Sequence, residues 1–273
     1  MNLPKGGIIG KVYSYAKQIG QMHIGLHAAH AGYFIVLSIF PTLVVLLSLL
    51  RYTGLDAGDL LYSLSGVIPE ALLPVAEKLI ISTYAYTSTT VVSLSALGVL
   101  WSASRGIYGL LTGLNAIYDV QENRGYLYTR FISVLYTFLF VLVLLLTLIL
   151  NVFGESLLSM LPSVQGAIWE LLSEIIDFRF FILLILQTAL FTAMFMVLPN
   201  RKNSFSDSFP GAIIASSGWL LFSNLFSIYV EHFSNYASIY GSVYMIALSL
   251  LWLYFCLCLV FFGGAWNHIF TEE

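Results

Sequence analysis

The chain has 273 residues, of which 59% are hydrophobic and 9% are charged, and its formal net charge is −3. Because average globular chains are about one-quarter charged, this composition indicates a polytopic membrane protein and excludes an ordinary soluble domain. The slightly acidic balance provides no general positive field, so we expect no nucleic-acid partner.

The N-terminal part of the chain, residues 5–29, is expected to form an amphipathic helix. Lysines alternate there with apolar side chains, a pattern typical of helices that lie on an anionic membrane surface. His23, His27 and His30 follow at spacings of four and three, which a helix places on one side. Such a pair can bind zinc, but no acidic or cysteine ligand is near, so we predict interfacial histidines, no metal and no cofactor.

Six apolar segments are long enough to cross a bilayer as helices, and they cover residues 31–50, 91–113, 131–153, 180–198, 210–230 and 242–262. Residues 52–88 combine acids with clustered leucines and predict two short amphipathic helices at the interface. Pro41 lies inside the first span and Pro199 ends the fourth, so both are candidates for a gate or for a fixed kink. We predict a single all-α transmembrane bundle over residues 1–273.

The distribution of Lys and Arg predicts the orientation of this bundle. Six spans place both termini on one side, which collects seven basic residues: Lys5, Lys11, Lys17, Arg124, Arg130, Arg201 and Lys202. The other side holds three, Arg51, Lys78 and Arg179. Because cytoplasmic loops carry the excess of positive charge, we predict that both termini are cytoplasmic.

The second span and its flanks carry two stripes at helical spacing. Small residues, which let a neighbouring helix approach closely in lipid, form the first stripe: Ser95, Gly98, Ser102, Gly106, Gly109 and Gly113. The second stripe is polar and cannot face hydrocarbon; it contains Trp101, Arg105, Tyr108, Thr112, Asn115 and Asp119. We expect the small stripe, from Ser102 onward, to pack against a helix and the polar one to face a cavity or a partner.

Arg105 is the central candidate for substrate binding. In a cavity open to the cytoplasm, its guanidinium would bind a phosphate or carboxylate through two parallel hydrogen bonds. Four polar residues complete the candidate site: Tyr108, Thr112, Asn115 and Asn224. The alternative is that Arg105 snorkels, because it lies six residues from the inner end of a span over residues 92–111, roughly 9 Å along the axis.

Three groups of motifs follow one another along the chain. The first contains alanines before a tyrosine and a Ser-x-Phe-Pro step, here Ala28, Ala29, Tyr33, Ser38, Phe40 and Pro41. The second is Trp-Ser-Ala-Ser-Arg-Gly at 101–106, followed by Asn115 and Tyr118. The third comprises LPNRK at 198–202, Pro210-Gly211, NYASIYGS at 235–242 and LLWLY at 250–254. Together, over nearly the whole chain, they resemble the YihY/BrkB family.

This resemblance implies a protein of the bacterial cytoplasmic membrane, linked to envelope integrity and virulence, with a transport or lipid-handling activity. Members have also been labelled ribonuclease BN, which is regarded as a misassignment. The residues support no enzyme, since the acids are scattered mostly over predicted outer loops and form no metal-binding or acid-base set. One departure is clear: the family usually ends its last span with Gly-Ala-Glu-x-Asn, whereas GGAWN here places Ala265 where the acid is expected.

Two functions are consistent with these observations. The first is a transporter or flippase of a lipid or an anionic envelope substrate, favoured by Arg105 and the polar stripe. The alternative is a non-transporting scaffold for envelope assembly, in which a short outer loop over residues 231–241 contacts membrane lipids or a partner. The candidate residues of this loop are Asn235, Tyr236, Tyr240 and Gly241.

Overall fold

The computed structural model describes residues 8–51, 89–152, 178–232 and 235–271, together with positions 58, 74, 77, 78 and 80–82. This described part contains seven α-helices and no strand. They are α1 (Ile8–Gln21), α2 (Ile24–Arg51), α3 (Thr89–Ile117), α4 (Tyr126–Val152), α5 (Arg179–Val197), α6 (Phe205–His232) and α7 (Asn235–Thr271). The all-α prediction is confirmed for these residues.

Three of the described helices contain windows long and apolar enough to cross a membrane: Phe180–Val197 in α5, Phe205–Val230 in α6 and Ile246–Thr271 in α7. The described residues of each predicted span lie within one helix from α2 to α7, except residue 198, which follows the end of α5, and most of the helices extend several residues beyond the predicted ends. Six crossings and cytoplasmic termini stay predictions. Most of the predicted interfacial segment, residues 52–88, lies outside the described residues.

Helices α2 to α7 pack as a ring in chain order. Each helix contacts the next, α7 closes the ring on α2 and also touches α3, and α1 contacts α7. The inside of the ring is filled, because Leu114, Phe195 and Phe261 are fully buried in one hydrophobic cluster. At the level of these side chains the ring is a packed core rather than an open channel.

Glycines allow α3 to approach α2 closely. A β-carbon added to Gly109 would lie 3.0 Å from the Cα atom of Ala31, which is closer than most β-carbons come to a neighbouring atom. The same stripe makes three such contacts, which pair Gly106 with Ile35, Gly109 with Ala31 and Gly113 with His27. Because residue numbers rise along α3 as they fall along α2, the two helices are antiparallel. The side chain of Ser102 lies outside the described residues.

The predicted N-terminal helix over residues 5–29 is wrong in its extent. α1 ends at Gln21, a turn follows, and α2 begins at Ile24. The backbone of His23 has a φ of 48°, in the left-handed region that commonly terminates helices. His23 therefore lies in the turn while the other two histidines lie on α2, so the prediction of one shared helix face is wrong for His23.

The predicted loop over residues 231–241 is also wrong. α6 continues to His232 and α7 begins at Asn235. The predicted loop contains no proline that would break a helix. Its one glycine, Gly241, costs a helix only about 1 kcal/mol, which the packing of neighbouring residues offsets. The candidate loop residues fall in the first turns of α7, and their side chains lie outside the described residues: Asn235, Tyr236, Tyr240 and Gly241.

Candidate functional site

Arg105 lies near the middle of α3, sixteen residues after its first residue and twelve before its last. The side chain is partly buried, with its guanidinium carbon 5.0 Å from the centre of the Trp101 ring and 5.9 Å from that of Phe34 on α2. Its Nε atom is buried without a hydrogen-bond partner among the described residues. In this part of the chain the charge is therefore met by aromatic faces rather than by a carboxylate.

The guanidinium of Arg105 points away from the connector that joins α3 to α4, residues 118–125. Trp101 lies one turn nearer the N-terminus of α3, and helical side chains tilt toward that end. The connector lies at the opposite end of the helix. Substrate binding and snorkelling by Arg105 both stay predictions.

Arg130 of α4 places a second guanidinium beside the same indole. Its Nη2 atom donates a hydrogen bond of 2.8 Å to the carbonyl oxygen of Trp101, and its guanidinium carbon lies 5.9 Å from the centre of the Trp101 ring. The Trp101 side chain is 56% exposed, so the group lies at the surface of the ring of helices. We call Trp101, Arg105 and Arg130 the two-arginine cluster. The sequence reasoning missed Arg130 as a site residue, because an arginine that precedes an apolar span is ordinary.

The other predicted binding residues do not gather at this cluster. Tyr108 packs against the core, and Thr112 donates a hydrogen bond of 3.1 Å to the carbonyl oxygen of Gly109 in its own helix. Asn224 is exposed on α6, where its side-chain amide donates a hydrogen bond of 2.8 Å to the carbonyl oxygen of Leu220. Since α6 packs mainly on α5 and α7, the structure does not bring Asn224 to α3.

Asn115 joins two connecting segments at the end of α3. Asn115 is 4% exposed. Its Nδ2 atom donates a hydrogen bond of 2.8 Å to Oε2 of Glu122, and its Oδ1 atom accepts a hydrogen bond of 2.7 Å from the backbone N–H of Asn200. The side-chain amide of Asn200 in turn donates to the Gln121 carbonyl and to Oδ1 of Asn123. Both polar atoms of Asn115 are thus engaged within the protein.

Arg124 extends these contacts to the end of α5. It forms an ion pair with Glu122 at 2.6 Å and donates hydrogen bonds of 3.1 Å and 2.6 Å to the carbonyl oxygens of Val197 and Leu198. A helix C-terminus has unpaired carbonyls and favours a cation. Burial raises the pKa of the Glu122 carboxyl, but hydrogen bonds from Arg124 and Asn115 outweigh it and lower this pKa from its usual value. We call Asn115, Glu122, Arg124 and Asn200 the connector network.

A polar cavity of about 650 Å³ lies where α1 meets the ends of α3 and α7. Gln18, Asp119 and His268 are among its lining residues. Beside it, buried Tyr118 has its ring 5.6 Å from that of His268 and 5.2 Å from the guanidinium carbon of Arg201. Burial raises the pKa of Tyr118 to about 12, so the phenol is neutral near neutral pH. This cavity belongs to the connector end of α3 and not to the two-arginine cluster.

Asn267 of α7 satisfies backbone groups of α6 around Pro210. Proline has no N–H and disturbs the hydrogen bonding of the helical turn that contains it. The side-chain oxygen of Asn267 accepts a hydrogen bond of 2.7 Å from the N–H of Gly211, and its amide donates 2.9 Å to the carbonyl oxygen of Ser208. Gly211 also meets the backbone of Gly263 so closely that a β-carbon would have no space.

The remaining predicted positions have packing environments. Ala265, where the family motif has an acid, is fully buried in the core, where an ionised carboxylate would need a partner. Pro199 is buried in the bend between α5 and α6, so it follows a helix rather than kinking one. Pro41 lies within the continuous α2, and its side chain is outside the described residues. Within the described ranges, no group of three or more His, Cys, Asp or Glu side chains could hold a metal ion.

Comparison with known families decides which group of proteins this helical ring belongs to. The family described as virulence factor BrkB matches residues 15–273. The chain belongs to the BrkB family. The match includes all seven helices except the start of α1, so the resemblance found in the sequence motifs is confirmed.

Relatives of this BrkB-family chain are named in two ways. The chain is 32% identical over 246 residues to the ribonuclease-like protein YfkH of Bacillus subtilis (strain 168), and the alignment covers 90% of each. It is 26% identical over 249 residues to a UPF0761 membrane protein of Vibrio vulnificus (strain YJ016), with 88% of this chain and 76% of that protein covered. No solved structure matches the chain. Together with its long apolar helices, the family assigns this chain to the membrane proteins.

Proposed function

We propose that this protein moves an anionic lipid, or another anionic substrate of the envelope, across the bacterial cytoplasmic membrane. The observation that carries the proposal is Arg105, whose Nε has no hydrogen-bond partner and whose charge no carboxylate neutralises among the described residues. A charge within a membrane helix is costly and usually serves a substrate or a partner. A guanidinium matches the planar, two-oxygen edge of a carboxylate or a phosphate.

A lipid is favoured over a small soluble anion. The ring of helices is packed at the level of Leu114, Phe195 and Phe261, which leaves no wide aqueous path there. The exposed Trp101, by contrast, gives a headgroup access to Arg105 from the surface of the ring. A lipid headgroup would bind there while its acyl chains stay in the bilayer.

The setting of this activity follows the sequence predictions. Six membrane-spanning helices with cytoplasmic termini would place the connector network on the cytoplasmic side. The substrate is the only small molecule that the proposal requires, with no cofactor and no catalysis. The ribonuclease-like name belongs to one relative, and nothing in the described part of this chain forms a metal-binding carboxylate set for such chemistry.

Lipid movement in proteoliposomes tests the proposal. Fluorescent phosphatidylglycerol is incorporated, and the fraction that a reductant outside the vesicle reaches is followed over time. We expect the protein to accelerate exchange between leaflets. Arg105→Lys should slow it about tenfold, because the ammonium keeps the charge but loses the two-donor fork, and Arg105→Gln should slow it further.

Lys202→Gln is the matched control, since Lys202 is an exposed cation in the bend between α5 and α6. When the vesicles contain equal amounts of the two proteins, this variant should exchange lipid at the same rate as the unchanged protein. Full activity of both Arg105 variants would contradict the role of Arg105 in substrate binding. No activity of the unchanged protein would contradict the transport proposal and favour a scaffold for envelope assembly.

A further inference from the structure

The two-arginine cluster brings two cations from different helices to one exposed indole. The guanidinium carbons of Arg105 and Arg130 lie 5.0 Å and 5.9 Å from the centre of the Trp101 ring, so they are at most about 11 Å apart. Two cations this close repel each other unless an anion or an aromatic face lies between them. The ring of Trp101 supplies part of that compensation.

The described residues supply no carboxylate to either arginine. The ion pair in this part of the chain joins Arg124 to Glu122, in the connector network. Arg130 uses Nη2 to bind the carbonyl oxygen of Trp101, which fixes its position relative to α3. Arg105 has a buried Nε atom with no partner there. An anion that accepts hydrogen bonds from both groups would remove an electrostatic cost that the cluster otherwise bears.

We propose that Arg105 and Arg130 together bind one phosphate group beside Trp101. A phosphate presents several oxygens in different directions, so it can accept hydrogen bonds of about 2.8 Å from two guanidinium groups at once, whereas one carboxylate edge is matched by a single fork. The inference rests on the proposed function, for which it names phosphate as the recognised group and Arg130 as a second binding residue.

The position of Trp101 distinguishes the two sources of such a phosphate. Trp101 is 56% exposed on the surface of the ring of helices, and its carbonyl oxygen accepts a hydrogen bond from Arg130. Arg130 directly precedes the predicted span over residues 131–153, so its side chain is expected near the boundary between headgroups and acyl chains. A phospholipid headgroup would reach both arginines laterally from the bilayer. A free phosphate ion carries the same chemistry but would have to arrive from water.

Binding to delipidated protein in detergent tests the site, with native mass spectrometry as the readout. The probes are phosphatidic acid, diacylglycerol with the same acyl chains, and inorganic phosphate. We expect phosphatidic acid to bind at least about tenfold more tightly than diacylglycerol, and Arg105→Gln or Arg130→Gln to weaken it about tenfold. The double variant should lose little more than either single one, because both arginines hold the same group.

Folding of the variants is controlled by their melting temperatures without ligand. If Arg130→Gln melts early, because its bond to the Trp101 carbonyl is lost, Arg130→Lys replaces it: the lysine keeps the charge and one donor but lacks the fork. Phosphatidic acid should raise the melting temperature of the unchanged protein and of Lys202→Gln, but not of the Arg105 and Arg130 variants.

The outcomes separate this site from the transport proposal. Loss of phosphatidic acid binding in both arginine variants supports the site, and comparison with inorganic phosphate identifies a lipid or a free ion as the source. Binding that both variants retain, or that Lys202→Gln weakens equally, overturns the site. If the proteoliposome assay needs Arg105 but not Arg130, transport stands and the shared phosphate site falls; if binding needs both but no lipid moves, the site stands and transport falls.

Discussion

Asn115 and Asn267 are buried amides that each connect segments far apart in the sequence. They are 4% and 3% exposed, and each uses both its donor and its acceptor. A buried group that loses its partner costs roughly 1–3 kcal/mol, so each of these side chains contributes to stability chiefly through the backbone and side-chain groups it satisfies.

Replacement of Asn267 by leucine should destabilise the protein. The variant keeps the side-chain size but leaves the N–H of Gly211 and the carbonyl oxygen of Ser208 without their partners, at roughly 1–3 kcal/mol for each group. We expect a lower melting temperature in detergent and less protein in the membrane. Asn224→Leu is the control, because Asn224 is exposed and its side-chain amide donates to a carbonyl oxygen of its own helix. Equal melting temperatures of the Asn267→Leu and Asn224→Leu variants would contradict this role of Asn267.

The sequence located the polar stripe of α3, but it could not divide that stripe into a structural and a binding part. Asn115 and Arg105 share the same helical spacing, yet a partner of Asn115 lies 85 residues away and Arg130 is 25 residues beyond Arg105. Periodicity reports which residues share a face of a helix; it does not report which distant segment meets that face. Arg130 lies on a different helix, so no periodicity within α3 includes it.

Among the helices, α2 and α3 form a pair whose contact depends directly on small residues. Gly109 meets the backbone of Ala31, which cannot move aside as a flexible side chain would. Gly106 and Gly113 make similar contacts on the turns before and after it. In a membrane, where packing replaces the hydrophobic drive between helices, such contacts hold a helix pair together.

Gly109→Leu should separate α2 from α3. We expect a large fall in the amount of folded protein in the membrane, with any surviving protein melting at a lower temperature, because the branched side chain has no space beside Ala31. Gly20→Leu is the matched control, since a β-carbon at Gly20 on α1 meets nothing within 4 Å. Normal amounts of Gly109→Leu would show that the two helices do not depend on this approach.

The connector network should give the protein a pH-dependent part of its stability. The pKa of Glu122 is lower in the folded protein than its usual value of 4.5, so the ionised carboxylate stabilises the fold above that value. This contribution is lost as the pH falls through the folded pKa. The melting temperature of the unchanged protein should therefore exceed that of Glu122→Gln at pH 7, and the difference should shrink as the pH is lowered below 4.5. A difference that stays constant with pH would contradict this role of Glu122.

The extents of the helices were only partly predictable. Hydropathy located each long helix, because apolar length is a property of the local sequence. The helix end at Gln21 depends on the left-handed backbone of His23, which no glycine marks. The start of α7 at Asn235 was missed because a polar, tyrosine-rich stretch suggested a loop, although it contains no helix-breaking proline.

For the whole molecule, the orientation of the ring is the feature that a simple experiment can establish. In a protein with Cys256 and Cys258 replaced by alanine, single cysteines at positions 60 or 165 should react with an impermeant reagent in intact cells. Cysteines at positions 123 or 202 should react only after the membrane is opened, because the connector and the bend after α5 are predicted to be cytoplasmic. Labelling of position 202 in intact cells would show that the orientation is opposite to the predicted one.

The closure of the ring by α7 has a consequence for the order in which the protein assembles at the ribosome. α2 receives α7 along one side, where Phe261 lies 5.9 Å from the ring of His27 and Leu257 reaches Gly32. At roughly 5–20 residues per second, the 220 residues from the end of α2 to the end of α7 take on the order of tens of seconds to synthesise. During that interval α7 is not yet present to cover this side of α2. A chain that ends before α7 would leave this side of α2 uncovered, and we expect membrane proteases to degrade such a chain.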